Sequence, residues 1–229
     1  MKTCFVTLST QGLNVLSAAR NKMPDAGFYV HDKVKSPEWA KKFSRVVDLA
    51  KELFEEYEGL VFVAPCGAVT RAVGPLARDK KTDPAVVVVD VGGRYAISLL
   101  GGHEAGANDL ALAVSNAIGA EPVISTTTEA VKSLIVGVGM RRGWPASNVV
   151  AAITDALAGI HATPEDVRML ASVDIKSDEA GLLEAARELG LPLRFIDSEE
   201  IRQTFREFEH SEFVWSEVNL PAVAEPCAL

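Results

Sequence analysis

The chain has 229 residues, 48% hydrophobic and 24% charged, which is the usage of an ordinary globular protein and excludes a disordered one. Its net charge of −8 lacks the basic balance typical of nucleic-acid-binding proteins, and no apolar run approaches the ~20 residues of a membrane span. Cys4, Cys66 and Cys227 are too scattered for a disulfide framework or a zinc ribbon, so we expect a reduced, cytoplasmic compartment. These features predict a soluble protein that acts on a small molecule and binds neither nucleic acid nor membrane.

Apolar runs alternate with amphipathic segments, which predicts an α/β fold with mainly parallel sheets flanked by helices. The predicted strands are Cys4–Leu8, Leu60–Ala64, Ala85–Asp90, Ala96–Leu100, Leu134–Val138, Met169–Val173 and Leu193–Ile196. The predicted helices are Trp39–Tyr57, Asn108–Ile118, Asn148–Leu157, Glu179–Leu189 and Glu199–Phe208. Ser36 and Pro37 are predicted to begin the first helix as N-cap and first-turn residue. The valines 86–89 are typical of a strand covered on both faces.

A polar run at residues 125–129 indicates a boundary between two α/β domains, because a new strand is predicted directly after it. The charge balance also changes there. Residues 1–129 carry 14 basic and 15 acidic side chains, whereas residues 130–229 carry 9 and 16. We therefore predict an N-terminal domain at residues 1–128 and a C-terminal domain at residues 134–229.

Four glycine-rich loops each follow a predicted strand and precede a helix: Ser9–Gly12, Ala64–Gly67, Gly101–Gly106 and Gly137–Gly139. In mainly parallel sheets these loops would lie at the carboxyl edges, where open α/β folds bind ligands. Backbone N–H groups at the start of a helix favour a carboxylate or phosphate. One glycine alone is explained by a turn or by helix packing, but the four loops together predict an anion-binding edge.

The segment Gly101–Asp109 is the strongest candidate for a catalytic site in the sequence. It places His103, which can carry a proton near neutral pH, beside the carboxylates Glu104 and Asp109 and the amide Asn108. The structural alternatives are that His103 caps the helix or bonds a backbone carbonyl, and that Asn108 and Asp109 are ordinary first-turn helix residues. The other histidines lack such neighbours and are predicted to lie at the surface: His31, His161 and His210.

Two groups of basic residues are candidate contacts for an anionic small molecule. The segment Gly137–Gly143 begins like a dinucleotide-binding loop, but Arg142 replaces its third glycine, which disfavours that function. Arg141 and Arg142 could instead grip carboxylates, or be a solvated pair near a helix start. The second group, which could equally be a solvated face, consists of Arg71, Arg78, Lys80 and Lys81. Motifs of a metal site, a kinase-type site or a common serine hydrolase are missing.

Seven segments match one family in the right order: Ala68–Leu76, Asp79–Asp90, Ile97–His103, Gly106–Ala111, Gly137–Gly143, Ala171–Glu179 and Val223–Pro226. Together they resemble the CbiG family, the cobalt-precorrin-5A hydrolases of anaerobic cobalamin biosynthesis. The second half is also similar to the stand-alone companion protein of the aerobic route. Both resemblances agree with the predicted two-domain α/β fold.

The chain departs from the family in three places. Met140 stands where the family commonly has cysteine, so a thiol there cannot be essential to the chemistry of this chain. The linker Thr128–Leu134 is short, so the middle region of many relatives is missing. The sequence stops at Leu229 within a motif that usually leads to further strands, so the second domain is either naturally short or truncated.

The resemblance implies opening of the δ-lactone of cobalt-precorrin-5A, with release of acetaldehyde, to give cobalt-precorrin-5B. Hydrolysis needs a base for the attacking water, and His103, Glu104 or Asp109 is the candidate. N–H groups at Gly101 and Gly102 are candidate oxyanion donors. The candidate substrate contacts are Gly101, Gly102, Asn108, Arg71, Lys80, Lys81, Arg141 and Arg142.

The substrate would bring its own cobalt, so no protein-bound metal or other cofactor is expected. Candidate partners besides the tetrapyrrole are other cobalamin-pathway enzymes and a second copy of the chain. A non-catalytic carrier or scaffold for tetrapyrrole intermediates is the alternative function, because it would need the same anion-binding edge. A nucleotide-dependent oxidoreductase is the third and weakest alternative.

Overall fold

The computed structural model describes residues 1–35, 37–204, 208 and 211–229. Its compact units are Met1–Thr126 and Thr127–Leu229, each with its own sheet. Both sheets are mostly parallel and flanked by helices, so the predicted α/β class is confirmed. Within the described residues, no helix combines the length and apolar character needed to cross a bilayer.

The first unit is built on a seven-stranded sheet. Its strands are β1 (Thr3–Thr7), β2 (Gly27–His31), β3 (Lys41–Phe43), β4 (Gly59–Val63), β5 (Ala85–Val89), β6 (Tyr95–Leu100) and β7 (Glu121–Val123). Its helices are α1 (Thr10–Lys22), α2 (Val46–Glu56), α3 (Cys66–Val73) and α4 (Ala107–Ile118). The strand order is β3-β2-β1-β4-β5-β6-β7. The first five strands of that order are parallel, whereas β6 pairs antiparallel with β5 and β7 pairs parallel with β6.

Alternate side chains of the central strands build two separate apolar cores, one on each face of this sheet. Phe5 and Val87 belong to the core formed with α1 and α4. Val6, Phe62 and Val88 belong to the core formed with α2 and α3. All residues of β5 are buried, which confirms that the valine run is covered on both faces.

The second unit is built on three parallel strands in the order β10-β9-β8. The strands are β8 (Leu134–Gly137), β9 (Val167–Val173) and β10 (Leu193–Ile196). The helices are α5 (Thr127–Ala130), α6 (Ala146–Gly159), α7 (Ala180–Leu189), α8 (Ser198–Gln203), α9 (Glu212–Val218) and α10 (Ala224–Ala228). Helices α6 and α7 share one core with the sheet, while Ile201 of α8 and Cys227 of α10 belong to another.

The predicted helix at Trp39–Tyr57 is wrong over its first part. Residues 41–43 form β3, and α2 begins only at Val46, after Arg45 as N-cap. Trp39 packs against the core of α1 and α4, whereas Phe43 belongs to the core of α2 and α3. The helical spacing therefore joined residues that pack on opposite faces of the sheet. The predicted N-cap Ser36 lies outside the described residues.

Other elements had no predicted range, including the 13-residue helix α1 and the eight-residue helix α3. Strands β2, β3 and β7 were not predicted, and β3 and β7 have only three residues each, at the two ends of the sheet order. The helix predicted at Glu199–Phe208 ends at Gln203, and residues 205–207 lie outside the described part of the chain. The other predicted strands and helices are present, with ends shifted by at most two residues.

Candidate functional site

The loop Gly101–Gly106, with the candidate base His103, connects β6 to α4. Leu100 at the end of β6 pairs with Val86 near the start of β5, because these two strands are antiparallel. The loop therefore lies at the amino edge of the five parallel strands. The expectation that the glycine-rich loops lie at the carboxyl edges of parallel strands is right for three of them and wrong for Gly101–Gly106, and the four loops do not form one edge. Ser9–Gly12 and Ala64–Gly67 follow β1 and β4 at the opposite edge of this sheet, and Gly137–Gly139 belongs to the second sheet.

Backbone hydrogen bonds hold this loop in a compact turn. The carbonyl oxygen of Gly101 accepts from the N–H groups of Ala105 and Ala107, both at 3.1 Å. Gly101 has a φ of +77°, in the left-handed region that favours glycine. Gly102 packs so closely against Thr126 that an added Cβ would collide with the Thr126 methyl group. The two glycines are thus required by the shape of the loop, and their role as oxyanion donors stays a prediction.

Asn108 fastens the beginning of α4 to its surroundings. It is 7% exposed, and its Oδ1 accepts a hydrogen bond of 2.9 Å from the Ser98 hydroxyl of β6. Its Nδ2 donates to the Thr126 hydroxyl at 3.0 Å. Since both ends of the amide have protein partners, its contacts in this structure are structural. The predicted substrate contact stays a prediction, because the amide keeps a second N–H and a second lone pair.

His103, Glu104 and Asp109 are all exposed, so each can reach a ligand from solvent. Glu104 Oε1 lies 2.8 Å from Lys80 Nζ, and this contact joins two of the predicted site residues. The hydrogen bond and the positive charge of Lys80 hold the pKa of Glu104 below its ordinary value. The same contact raises the pKa of Lys80. Glu104 is therefore a weakened base, which leaves His103 as the better candidate for accepting a proton near neutral pH.

Only part of the second basic group, which consists of Arg71, Arg78, Lys80 and Lys81, lies near this loop. Lys80 contacts Glu104, and Lys81 is exposed beside it. The Arg71 guanidinium instead donates to the Gly67 carbonyl oxygen of its own helix at 3.2 Å. The buried Asp83 carboxylate shapes the lysine-bearing turn by accepting from the N–H groups of Arg78 and Asp79, at 2.8 and 3.1 Å. This shaping role of Asp83 was not predicted, although Asp-Pro is a common turn signal.

In the second unit, Arg142 lies in the loop between β8 and α6, at the carboxyl edge of the sheet. Its guanidinium contacts Asp178 Oδ2 at 3.2 Å and Glu179 Oε1 at 3.4 Å, and it donates to the Ile175 carbonyl oxygen at 3.3 Å. These partners occupy much of its hydrogen-bonding capacity. Arg141 next to it is exposed. The proposed grip on substrate carboxylates stays a prediction for both arginines.

Glu179, the N-cap of α7, holds this loop from another segment, and the sequence reasoning missed its role. It is 4% exposed, accepts from the Gly143 N–H at 3.0 Å and lies 3.4 Å from Lys176 Nζ. It therefore connects the loop after β8 with the segment after β9. A carboxylate at the start of a predicted helix was visible in the sequence, but its distant partners were not.

The other histidines were predicted to lie at the surface. His161 is exposed, whereas His31 is only half-buried and makes an edge contact with Phe43, so its predicted surface position is only partly right. His210 lies outside the described residues. Among the residues that the structure describes, no group of three His, Cys, Asp or Glu side chains could hold a metal ion.

Comparison with known families matches both parts of the chain. The profile described as Cobalamin synthesis G N-terminal matches residues 48–129. The profile described as Cobalamin synthesis G C-terminus matches residues 134–229. The resemblance to the CbiG family is thereby confirmed, and the matched residues include all the predicted site residues.

Three curated relatives are similar to parts of the chain. It is 47% identical over 97 residues to the cobalt-precorrin-5A hydrolase of Priestia megaterium, which is 42% of this chain and 26% of that protein. It is 45% identical over 80 residues to the hydrolase of the same name from Salmonella typhimurium strain LT2, 35% of this chain and 23% of that protein. It is 35% identical over 104 residues to Protein CobE of a Sinorhizobium species, 45% of this chain and 68% of that protein. The chain thus spans about a quarter of the length of the two hydrolases.

Proposed function

Since this chain belongs to the CbiG family of cobalamin biosynthesis proteins, we propose that it is a cobalt-precorrin-5A hydrolase. The reaction opens the δ-lactone of cobalt-precorrin-5A and releases acetaldehyde to give cobalt-precorrin-5B. The observation that carries the proposal is the identity of 47% and 45% to two proteins of that name. The family match supports the pathway, and the site geometry supports the assignment of roles.

In this proposal His103 is the general base. It would take a proton from water as the water oxygen bonds to the lactone carbonyl carbon. The ring ester C–O bond then breaks, and the leaving oxygen takes back the proton from His103 to give the alcohol. When this hydroxyl loses its proton, its C–O bond becomes the aldehyde carbonyl. The carbon–carbon bond to the macrocycle breaks at the same time, and its electron pair stays on the macrocycle, which takes up a proton. Glu104 is held by Lys80, so we assign it to positioning Lys80 near the base rather than to proton abstraction. Asp109, exposed in the first turn of α4, is the reserve candidate.

The substrate carries many carboxylates, so positive side chains would contribute most of its binding. Lys80 and Lys81 are the best placed of the predicted contacts in the first unit, because they lie on the turn next to Glu104. Arg141 and Arg142 are the proposed contacts in the second unit. Arg71 needs a new rotamer to contribute, since its guanidinium is bonded to its own helix.

We expect the cobalt to arrive within the substrate and no cofactor to be held by the protein alone. The three cysteines are free thiols, which supports a reducing compartment such as the cytoplasm. Other enzymes of the pathway and a second copy of the chain are proposed partners for substrate transfer.

The decisive experiment incubates the purified protein with cobalt-precorrin-5A and measures acetaldehyde with a coupled dehydrogenase. The wild-type protein is expected to release acetaldehyde, and His103→Ala to do so about 100- to 10,000-fold more slowly with substrate binding retained. His161→Ala, an exposed histidine of the second unit, is the matched control and should keep full activity. Tight binding without acetaldehyde release would instead show a carrier. Loss of binding alone in His103→Ala would make His103 a substrate contact.

A further inference from the structure

A surface cavity of about 320 Å³ lies in the first unit, between α2 and the segment that joins α3 to β5. Phe54 and Leu76 form its apolar part, and both pack against the core beneath. Small-molecule sites usually measure about 300–1,000 Å³, so this volume suits a short arm of a ligand and not a whole macrocycle. Of the basic residues that the sequence offers as candidate ligand contacts, Arg78 lines this cavity.

The charged lining of the cavity leaves two cations available to a ligand. Lys51 and Arg78 both line it and are exposed, and no hydrogen bond or ion pair connects either side chain to another described residue. Asp83 also lines it, but backbone N–H groups already satisfy this carboxylate. Glu55 is the remaining lining carboxylate. The two cations outnumber it, so the cavity favours a group with a single negative charge.

One turn links the cavity to the loop of the candidate base. Arg78 and Thr82 line the cavity, and Lys80, which lies between them in sequence, reaches Glu104 at 2.8 Å, next to His103. A ligand arm bound in the cavity can extend along this turn toward Lys80 and Glu104. Such an arrangement holds a substrate by a remote group and so fixes the reacting bond near the base.

We propose that this cavity is a subsite for one carboxylate-bearing side chain of the tetrapyrrole substrate. Lys51 and Arg78 pair with the carboxylate, and Phe54 and Leu76 contact the methylene carbons of the arm. The inference rests on the proposed function and extends it, because it gives Arg78 a specific partner and adds Lys51, Phe54 and Leu76, which were not predicted contacts.

The test measures binding of two stable corrinoids by titration calorimetry, one with free carboxylate arms and one with every arm methyl-esterified. In the Lys51→Gln/Arg78→Gln variant, binding of the free acid should weaken about threefold to tenfold, because two exposed charge pairs are lost. The loss should shrink at high salt. The control Lys22→Gln/Lys33→Gln removes the same charge from exposed positions away from the cavity and should bind as the wild type does.

Three results would overturn the subsite: an unchanged affinity in the cavity variant, an equal loss in the control, or an esterified probe that binds the wild type as tightly as the acid. Acetaldehyde release is measured separately on the same proteins. If the cavity variant binds the free acid as tightly as the wild type does and also releases acetaldehyde, the subsite is refuted and the proposed function is not. If the wild-type protein releases no acetaldehyde but the cavity variant still binds the free acid more weakly, the subsite is supported and the proposed hydrolase activity is refuted.

Discussion

Replacing Glu179 by alanine should destabilise the second unit more than replacing any charged residue in the loop after β8, which Glu179 contacts. The carboxylate is 4% exposed, and its removal deprives the Gly143 N–H of its acceptor at 3.0 Å. It also leaves Lys176, whose side chain is 11% exposed, without its ion-pair partner at 3.4 Å. Breaking a buried pair costs about 3–5 kcal/mol, whereas Gly143 is exposed, so water can replace the acceptor that its N–H loses. Because Lys176 can turn partly to solvent, we expect a loss of about 3 kcal/mol.

Urea unfolding measures this loss, and hydrogen exchange of the Gly143 amide reports on the same contact locally. Glu179→Gln keeps an acceptor for Gly143 and should lose less stability than Glu179→Ala. Asp178→Ala removes the other carboxylate on Arg142, which is largely exposed, and should have a much smaller effect. If Glu179→Ala and Asp178→Ala are equally mild and the amide exchange rate is unchanged, the assignment of Glu179 as the anchor of this loop is refuted.

Three further outcomes test the first unit. Gly102→Ala should cost about 1–3 kcal/mol of unfolding free energy by overpacking, whereas Gly74→Ala, with no atom within 4 Å of the added Cβ, should be neutral; equal thermal shifts would contradict this. In a carboxyl NMR titration, Lys80→Gln should raise the pKa of Glu104 toward its ordinary value, and the small stabilisation from this pair should be present at neutral pH and lost as the pH falls through the lowered pKa. A thiol reagent should modify Cys66 first because it alone among the three cysteines is exposed, and Cys66→Ser should abolish the fast phase.

The sequence alone determined the elements whose signals are local. The strands Gly59–Val63 and Ala85–Val89 were predictable because parallel strands that are buried on both faces need continuous apolar residues. The family resemblance was also available from the sequence, because it depends on the order of matching segments.

The tertiary structure decided which of these segments meet. The short connection between β5 and β6, with Gly92 and Gly93, already required β6 to run antiparallel to β5, but only the folded chain shows what this direction brings to the loop. That single reversal moves His103 and its loop to the amino edge, where Lys80 reaches Glu104. The partners of Glu179 are more than thirty residues away at Arg142 and Gly143, so only the folded chain brings them together. Local apolar spacing thus specifies a strand or helix, whereas a site requires contacts between residues distant in sequence, which only packing creates.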